Sequence, residues 1–310
     1  MTRAFVFPGQ GAQTVGMGRD LAEAYPAAKA VFDEVDEALG ASLSALIWDG
    51  DIETLTLTQN AQPALMATSM AAMRALEAEG IGIESASFVA GHSLGEYSAL
   101  CAAGAFEVAD AARLLRARGK AMQAAVPVGE GAMAAILGLD LAAVQDLVAA
   151  SSEGDCLAAA NDNDPAQVVI SGSAGAVARA VENAKGAGAK RALLLPVSAP
   201  FHCALMQPAA DAMAQALAEV EISAPKVPVV SNVRAEGVVQ PEVIRELLVE
   251  QVTGSVRWRE SVAWMVGQGV TEFWEIGAGK ALSGMIRRIA KGAATRPVGG
   301  VEDIKAAAAV

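Results

Sequence analysis

Apolar residues in this chain recur in two rhythms. Short apolar or β-prone runs at Ala4–Phe7, Ser87–Ala90, Met133–Leu137, Cys156–Ala160, Gln167–Ser171, Arg191–Val197, Val227–Asn232 and Thr271–Ile276 read as strands. Between them, apolar positions three and four residues apart predict helices over Arg19–Leu39, Ala61–Leu76, Val108–Ala125, Leu141–Ala150, Ala176–Ala187, Cys203–Glu219, Pro241–Val249, Trp258–Gly267 and Ala281–Lys291. Pro63 fits the first turn of its helix, where its missing N–H costs nothing. Strands alternating with helices predict an α/β protein with a mainly parallel sheet covered by helices.

The alternation changes character after Pro127-Val128-Gly129. From Ala132 to Val197 the order is strand, helix, strand, strand, helix, strand, the βαββαβ signature of a ferredoxin-like unit. Residues 1–128 and 198–310 are therefore expected to form a large catalytic domain interrupted by a small subdomain over 129–197. There is no internal repeat, and the only biased segment is a short Ala-rich tail at Ala306–Ala309.

Composition narrows the function classes. The chain has 310 residues, 53% hydrophobic but only 4% aromatic, so its core must be built from Ala, Val, Leu, Ile and Met. A formal charge of -12 disfavours nucleic acid and anionic membranes as partners. No apolar run approaches a membrane span, and the N-terminus lacks a signal-peptide pattern. Cys101, Cys156 and Cys203 are widely spaced in apolar surroundings and read as buried free thiols of a reducing, cytoplasmic setting.

Against that background one stretch carries chemistry. Gly91-His92-Ser93-Leu94-Gly95 follows an apolar run and precedes a helix-like pattern. This G-x-S-x-G context suits a nucleophile elbow, which lifts a serine hydroxyl clear of a hydrolase-like sheet. The backbone N–H of Leu94 would lie in the first helical turn, where acceptors are missing and the helix dipole favours a developing oxyanion. Pro8-Gly9-Gln10-Gly11-Ala12-Gln13 places a second special turn after the first strand.

A serine nucleophile needs a base, and the chain has only two histidines. His92 adjoins Ser93 and should point elsewhere. His202, after the small subdomain and before a helix, is the candidate base. No acidic residue stands out to orient it; a backbone carbonyl or an amide such as Gln251 would serve equally. Arg113, Arg116, Arg118 and Lys120 lie on one helix and by pattern alone read as solvated charges. Two histidines without ligand spacing make no metal site, and Gly277-Ala278-Gly279-Lys280 reads as a helix-start turn rather than a phosphate loop.

Phe7-Pro8-Gly9-Gln10-Gly11-Ala12-Gln13, Gly91-His92-Ser93-Leu94-Gly95-Glu96-Tyr97 and Pro200-Phe201-His202 with a downstream Gln251, taken together, resemble the malonyl-CoA:acyl carrier protein transacylases and the acyltransferase domains of fatty acid and polyketide synthases. The resemblance runs from about residue 4 to the end. It implies Ser93 as the acylated nucleophile, His202 as its base, and Gln10 and Leu94 as backbone donors to the oxyanion. It implies Arg118 as partner of the malonyl carboxylate, with Gln251, Met122 and Phe201 also at the substrate. Phe201 before His202 looks like the malonyl-type pattern. The implied reaction is ping-pong transfer of malonyl from malonyl-CoA to the phosphopantetheine thiol of acyl carrier protein, supplying fatty acid synthesis. No resident cofactor or metal is implied, and the chain is expected to act as a monomer. One departure is Gly277-Ala278-Gly279, where many relatives carry Gly-Pro-Gly.

Because carrier proteins of this kind are acidic, docking implies a local basic rim, with Lys190, Arg191, Arg257, Arg259, Arg287 and Arg288 as candidates. Two other readings remain open at this point. A serine thioesterase or hydrolase of acyl-CoA shares the elbow but would want an acidic triad member and an H-G-G-G-type loop. A non-catalytic acyl-CoA-binding subunit would need no nucleophile and base.

Overall fold

Two sheets organise the protein. The computed structural model describes residues 2–197 and 199–309, so Ser198, where the large domain is expected to resume, lies outside the described residues. The strands are β1 (Arg3–Phe7), β2 (Phe88–Gly91), β3 (Gly131–Leu137), β4 (Leu157–Asp164), β5 (Gln167–Ser173), β6 (Arg191–Leu194), β7 (Val229–Val230), β8 (Gly237–Val238), β9 (Glu272–Ile276) and β10 (Ala294–Val298). The larger sheet runs β10-β9-β1-β2-β7-β8 and is parallel except for the β7–β8 pair. The smaller runs β4-β5-β3-β6 with every pair antiparallel, the strand order of a ferredoxin-like unit.

Side chains alternate across the larger sheet as a two-residue period requires. Phe5, Phe7, Val89, Trp274 and Ile276 enter the main core. Ala4, Val6, Ala90 and Phe273 enter a second core against the helices Trp258–Gly267 and Ala281–Ile289. A parallel sheet buried on both faces is what the near-continuous apolar runs announce. In the smaller sheet, Ala134, Ile136, Val168 and Ile170 pack on the unit's own helices, whereas Met133, Ala135 and Val169 face the main core.

The two sheets are joined along β4. Asp162 N–H donates to Val256 O (2.9 Å) and Val256 N–H to Ala160 O (2.8 Å). Arg259 pairs with Asp162 at 2.8 Å and Arg288 with Asp164 at 2.7 Å, both carboxylates being only 1% exposed.

Some elements differ from the sequence expectation. The helix expected over Arg19–Leu39 is two, Arg19–Ala24 and Pro26–Leu39; Tyr25 is held extended before Pro26, as the pyrrolidine ring demands. The helix containing Pro63 begins earlier, at Thr58, so Pro63 is its sixth residue and lies in the interior. Strand β6 stops at Leu194 rather than Val197, just ahead of Pro196. Helices Leu43–Asp49 and Ile52–Thr56 and strands β8 and β10 carry too short or too mixed a pattern to be foreseen. The Ala-rich tail is a helix, Val301–Ala308, burying Ile304 and Ala307. Cys101 and Cys203 are buried free thiols, but Cys156 is only half-buried. Among the described residues, no helix is long and apolar enough to cross a membrane.

Candidate active site

Adjacent parallel strands β1 and β2 end side by side, and their C-terminal turns build the site. After β2 the chain turns sharply into the helix Gly95–Ala102. The approach of that helix to β1 is too close for a side chain: a Cβ on Gly95 would lie 2.3 Å from the Phe7 carbonyl oxygen. Ser93 sits at the bend with φ +53°, one of four non-glycine residues in the left-handed region among the described residues. Such a conformation costs about 1–3 kcal/mol and persists where neighbours over-determine it. Asn232 does so here, accepting from Ser93 N–H at Oδ1 (2.8 Å) and donating from Nδ2 to Gly91 O (2.7 Å).

His202 is another of the four, with φ +59°. Its Nδ1 lies 2.9 Å from Gln251 O and 3.1 Å from Gly254 O, so Nδ1 carries the proton and Nε2 is left as acceptor. Nε2 meets Ser93 Oγ at 2.8 Å. The orienting group is backbone carbonyl, one of the alternatives open in the sequence, and not a carboxylate. Burial first, and then the Arg118 guanidinium, push the imidazole down to about 3. That direction keeps Nε2 unprotonated, as its role as acceptor for the Ser93 proton requires.

Arg118 is 1% exposed, which overturns the solvated reading of its helix pattern. It reaches the elbow because Gly119 lets helix Val108–Ala124 press on helix Thr58–Ala78: a Cβ there would lie 2.5 Å from Gln59 Cα. Nη1 donates to Gln62 Oε1 (2.8 Å), while Nη2 donates to Gln251 Oε1 (2.8 Å) and Ser93 Oγ (3.1 Å). Nε is buried with no partner among the described residues. An arginine with donors unspent, beside a serine, is a ready receiver for a planar carboxylate.

Gln251 joins these parts. Its Nε2 donates to Ser93 O (3.0 Å) and to Glu96 Oε2 (2.7 Å), and Glu96 Oε2 also accepts from Asn232 N–H (3.2 Å). Burial pushes the Glu96 carboxyl up to about 7, against the lowering effect of those hydrogen bonds and of Arg118. Gln251 is wholly buried and does not line the cavity; its side chain reaches the site through Arg118 Nη2 and Ser93 O.

The cavity measures about 290 Å³ and is lined by Ser93, His202, Arg118, Gln10, Leu94, Met122 and Phe201. Met133, Leu195 and Val197 from the smaller unit close the opposite side with apolar surface. Among the described residues, neither the Gln10 nor the Leu94 backbone N–H has a hydrogen-bond acceptor. His92 borders the same cavity but its Nε2 lies 2.8 Å from Asn163 Oδ1 rather than at Ser93 Oγ. Glu96, Gln62 and Asn232 were not foreseen as site residues. Glu96 alone had a local signal, a carboxylate three residues beyond the serine on a helix of otherwise small and apolar residues.

Of the six bases expected to form a docking rim, Arg257, Arg259 and Arg288 are engaged with Glu260, Asp162 and Asp164. Lys190, Arg191 and Arg287 form no ion pair among the described residues.

Comparison with known proteins places this geometry. The family described as "Acyl transferase domain" matches residues 4–308. The Malonyl CoA-acyl carrier protein transacylase of Bacillus subtilis (strain 168) is 49% identical over 305 residues, covering 98% of this chain and 95% of that protein. The crystal structure of an acyl-carrier-protein-S-malonyltransferase from Bartonella henselae superposes with a TM-score of 0.97 at 55% identity, covering both chains fully (100%). A malonyl-transacylase solved in complex with its type II PKS acyl-carrier protein superposes at 0.96 with 44% identity, covering 100% of this chain and 99% of that one.

Proposed function

This chain belongs to the acyl transferase domain family, and on that premise we infer that it moves a malonyl group from malonyl-CoA to the phosphopantetheine thiol of an acyl carrier protein, through an ester on Ser93. The observation that carries the reading is the position of Ser93 Oγ, 2.8 Å from His202 Nε2 and 3.1 Å from Arg118 Nη2. One hydroxyl thus faces both a base and a carboxylate receiver.

The steps follow from those contacts. Ser93 Oγ attacks the thioester carbonyl carbon while His202 Nε2 takes its proton. The carbonyl oxygen becomes an oxyanion, for which the free N–H groups of Gln10 and Leu94 are the available donors. Collapse breaks the C–S bond, and the proton on Nε2 goes to the departing coenzyme A sulfur. In the second half the pantetheine thiol gives its proton to Nε2 and attacks the ester, and Ser93 Oγ recovers the proton as it leaves.

Arg118 supplies the preference for an acyl chain that ends in a carboxylate. A malonyl group pairs with the guanidinium directly; an acetyl group forgoes that contact, a difference of several kcal/mol. Pairing also removes part of the positive field that depresses His202, so the right acyl group strengthens its own base. The apolar side of the cavity, from Met122, Phe201, Leu195 and Val197, limits water as a competing acceptor. The malonyl units so transferred feed chain extension in fatty acid synthesis. We infer also that it acts as a monomer in a reducing cytoplasm, which the three free thiols suit. No resident cofactor is invoked.

Intact mass after brief exposure to malonyl-CoA tests the reading. A malonyl adduct on the parent but not on Ser93→Ala, discharged by holo carrier protein, is expected. Free malonate without an adduct would make the protein a hydrolase, and tight coenzyme A binding without turnover would make it a binding subunit.

A further inference from the structure

Glu96 has no part in the steps above, yet it is a carboxyl group 3% exposed inside the catalytic body. Its Oε2 accepts from Gln251 Nε2 at 2.7 Å, and Gln251 Oε1 accepts from Arg118 Nη2 at 2.8 Å. One amide therefore spans Arg118, the only buried cation of the site among the described residues, and this carboxyl. Among the described residues no carboxylate forms an ion pair with Arg118 directly, so Glu96 is its counter-charge at one remove. The other titratable groups around them are Tyr97, whose ring lies 5.7 Å from the guanidinium, and His202.

We propose that Glu96 is a charge-balancing positioning residue: mainly ionised in the free enzyme above neutral pH, it takes up a proton when a carboxylate-bearing acyl group pairs with Arg118, whereas an uncharged acyl group leaves its ionisation unchanged. This rests on the reading of Arg118 as receiver of the malonyl carboxylate. The physical argument is electroneutrality. One cation and one anion balance in the empty site; a second anion leaves a net negative charge in a poorly solvated space, and the group closest to protonation relieves it. Burial already holds Glu96 at about 7, while His202 is held near 3 and burial raises Tyr97 away from ionisation. The proton comes from solvent onto a Glu96 oxygen and returns to solvent when the acyl group leaves. Acylation itself is neutral, because the serine proton ends on the coenzyme A thiol.

The experiment mixes the protein with malonyl-CoA in weak buffer at pH 7.5 with an indicator dye, and counts acylated serine by intact mass. Uptake of about half a proton or more per malonyl-serine is expected, shrinking below pH 6 where Glu96 is already protonated. Acetyl-CoA, given enough enzyme and time for the slower acylation to be counted by mass, should show no uptake per acetyl-serine, and Glu96→Gln should show none per malonyl-serine. Equal uptake with both acyl groups, or no uptake by the parent, overturns the proposal. So does uptake persisting in Glu96→Gln, which would place the proton on His202. Arg118→Ala separates the premise: if it keeps the malonyl preference, the carboxylate-receiver reading falls; if it loses that preference while the parent takes up no proton, only the role of Glu96 falls.

Discussion

The Nδ1 of His202 lies 2.9 Å from the backbone carbonyl oxygen of Gln251, while the side chain of the same Gln251 holds Arg118 at 2.8 Å. Under the proposed function, base orientation and carboxylate reception would then depend on one residue through different atoms. Gln251→Ala keeps the carbonyl and deletes the amide. It should therefore lower kcat/KM for malonyl-CoA by about 10- to 100-fold, the worth of hydrogen bonds to charged groups, while acetyl transfer changes much less. Steady-state kinetics with both thioesters check this; equal losses would mean that the amide acts on the base instead.

The second prediction concerns pH. His202 is held near 3 by burial and then by Arg118. A lowered pKa keeps the imidazole deprotonated as pH falls, so kcat/KM should show no loss of base around the ordinary imidazole value of about 6.5. Arg118→Ala removes one lowering cause, and its acid limb should move upward toward that value. A parent profile that falls with an apparent pKa near 6.5 would contradict the neutral, buried base.

Arg118→Ala should also invert acyl preference. Removing one partner of a buried charge pair costs about 3–5 kcal/mol, so malonyl transfer should fall by roughly 10²- to 10⁴-fold. Uncharged acyl groups, no longer facing an unpaired guanidinium, should transfer faster than in the parent. Competition between malonyl-CoA and acetyl-CoA, read by adduct mass, measures both effects together.

Gly119→Ala tests how the arginine is delivered. The added methyl would lie 2.5 Å from Gln59 Cα and 2.7 Å from Thr58 O, so the two helices must part. Overpacking of this kind costs about 1–3 kcal/mol of stability. Its distinctive result should be a weakened malonyl preference with serine acylation retained, measured by thermal unfolding beside adduct mass.

Much of this site is legible in the sequence because its residue types are scarce. Two histidines leave one base once His92 is spent beside the elbow, and Gly91 and Gly95 mark a turn that only glycine permits. Arg118 is different. Its helix pattern reads as solvated charge, and only the family resemblance singles it out; what buries it is Gly119 and a neighbouring helix, neither visible from periodicity. The polar partners stayed hidden because they meet across great chain separations: Gln62 with Arg118 over 56 positions and Glu96 with Gln251 over 155. The ferredoxin-like unit was readable from its element order. β10, an edge strand with Arg296 and Pro297 in its middle, has no alternation to read.

Strand β4 is shared property. It pairs with β5 from Leu157 to Asp164 in the smaller sheet, and its last residues are at the same time sewn to Val256, Arg259 and Arg288 of the larger body. A graft of residues 129–197 from another acyltransferase would carry its own sheet register intact and could still arrive without its seam. Asp162 and Asp164, or whatever replaced them, would face guanidiniums chosen for a different strand. Swapping specificity between relatives by exchanging this unit therefore calls for moving both sides of the stitch, even though one side lies about a hundred residues downstream in the recipient.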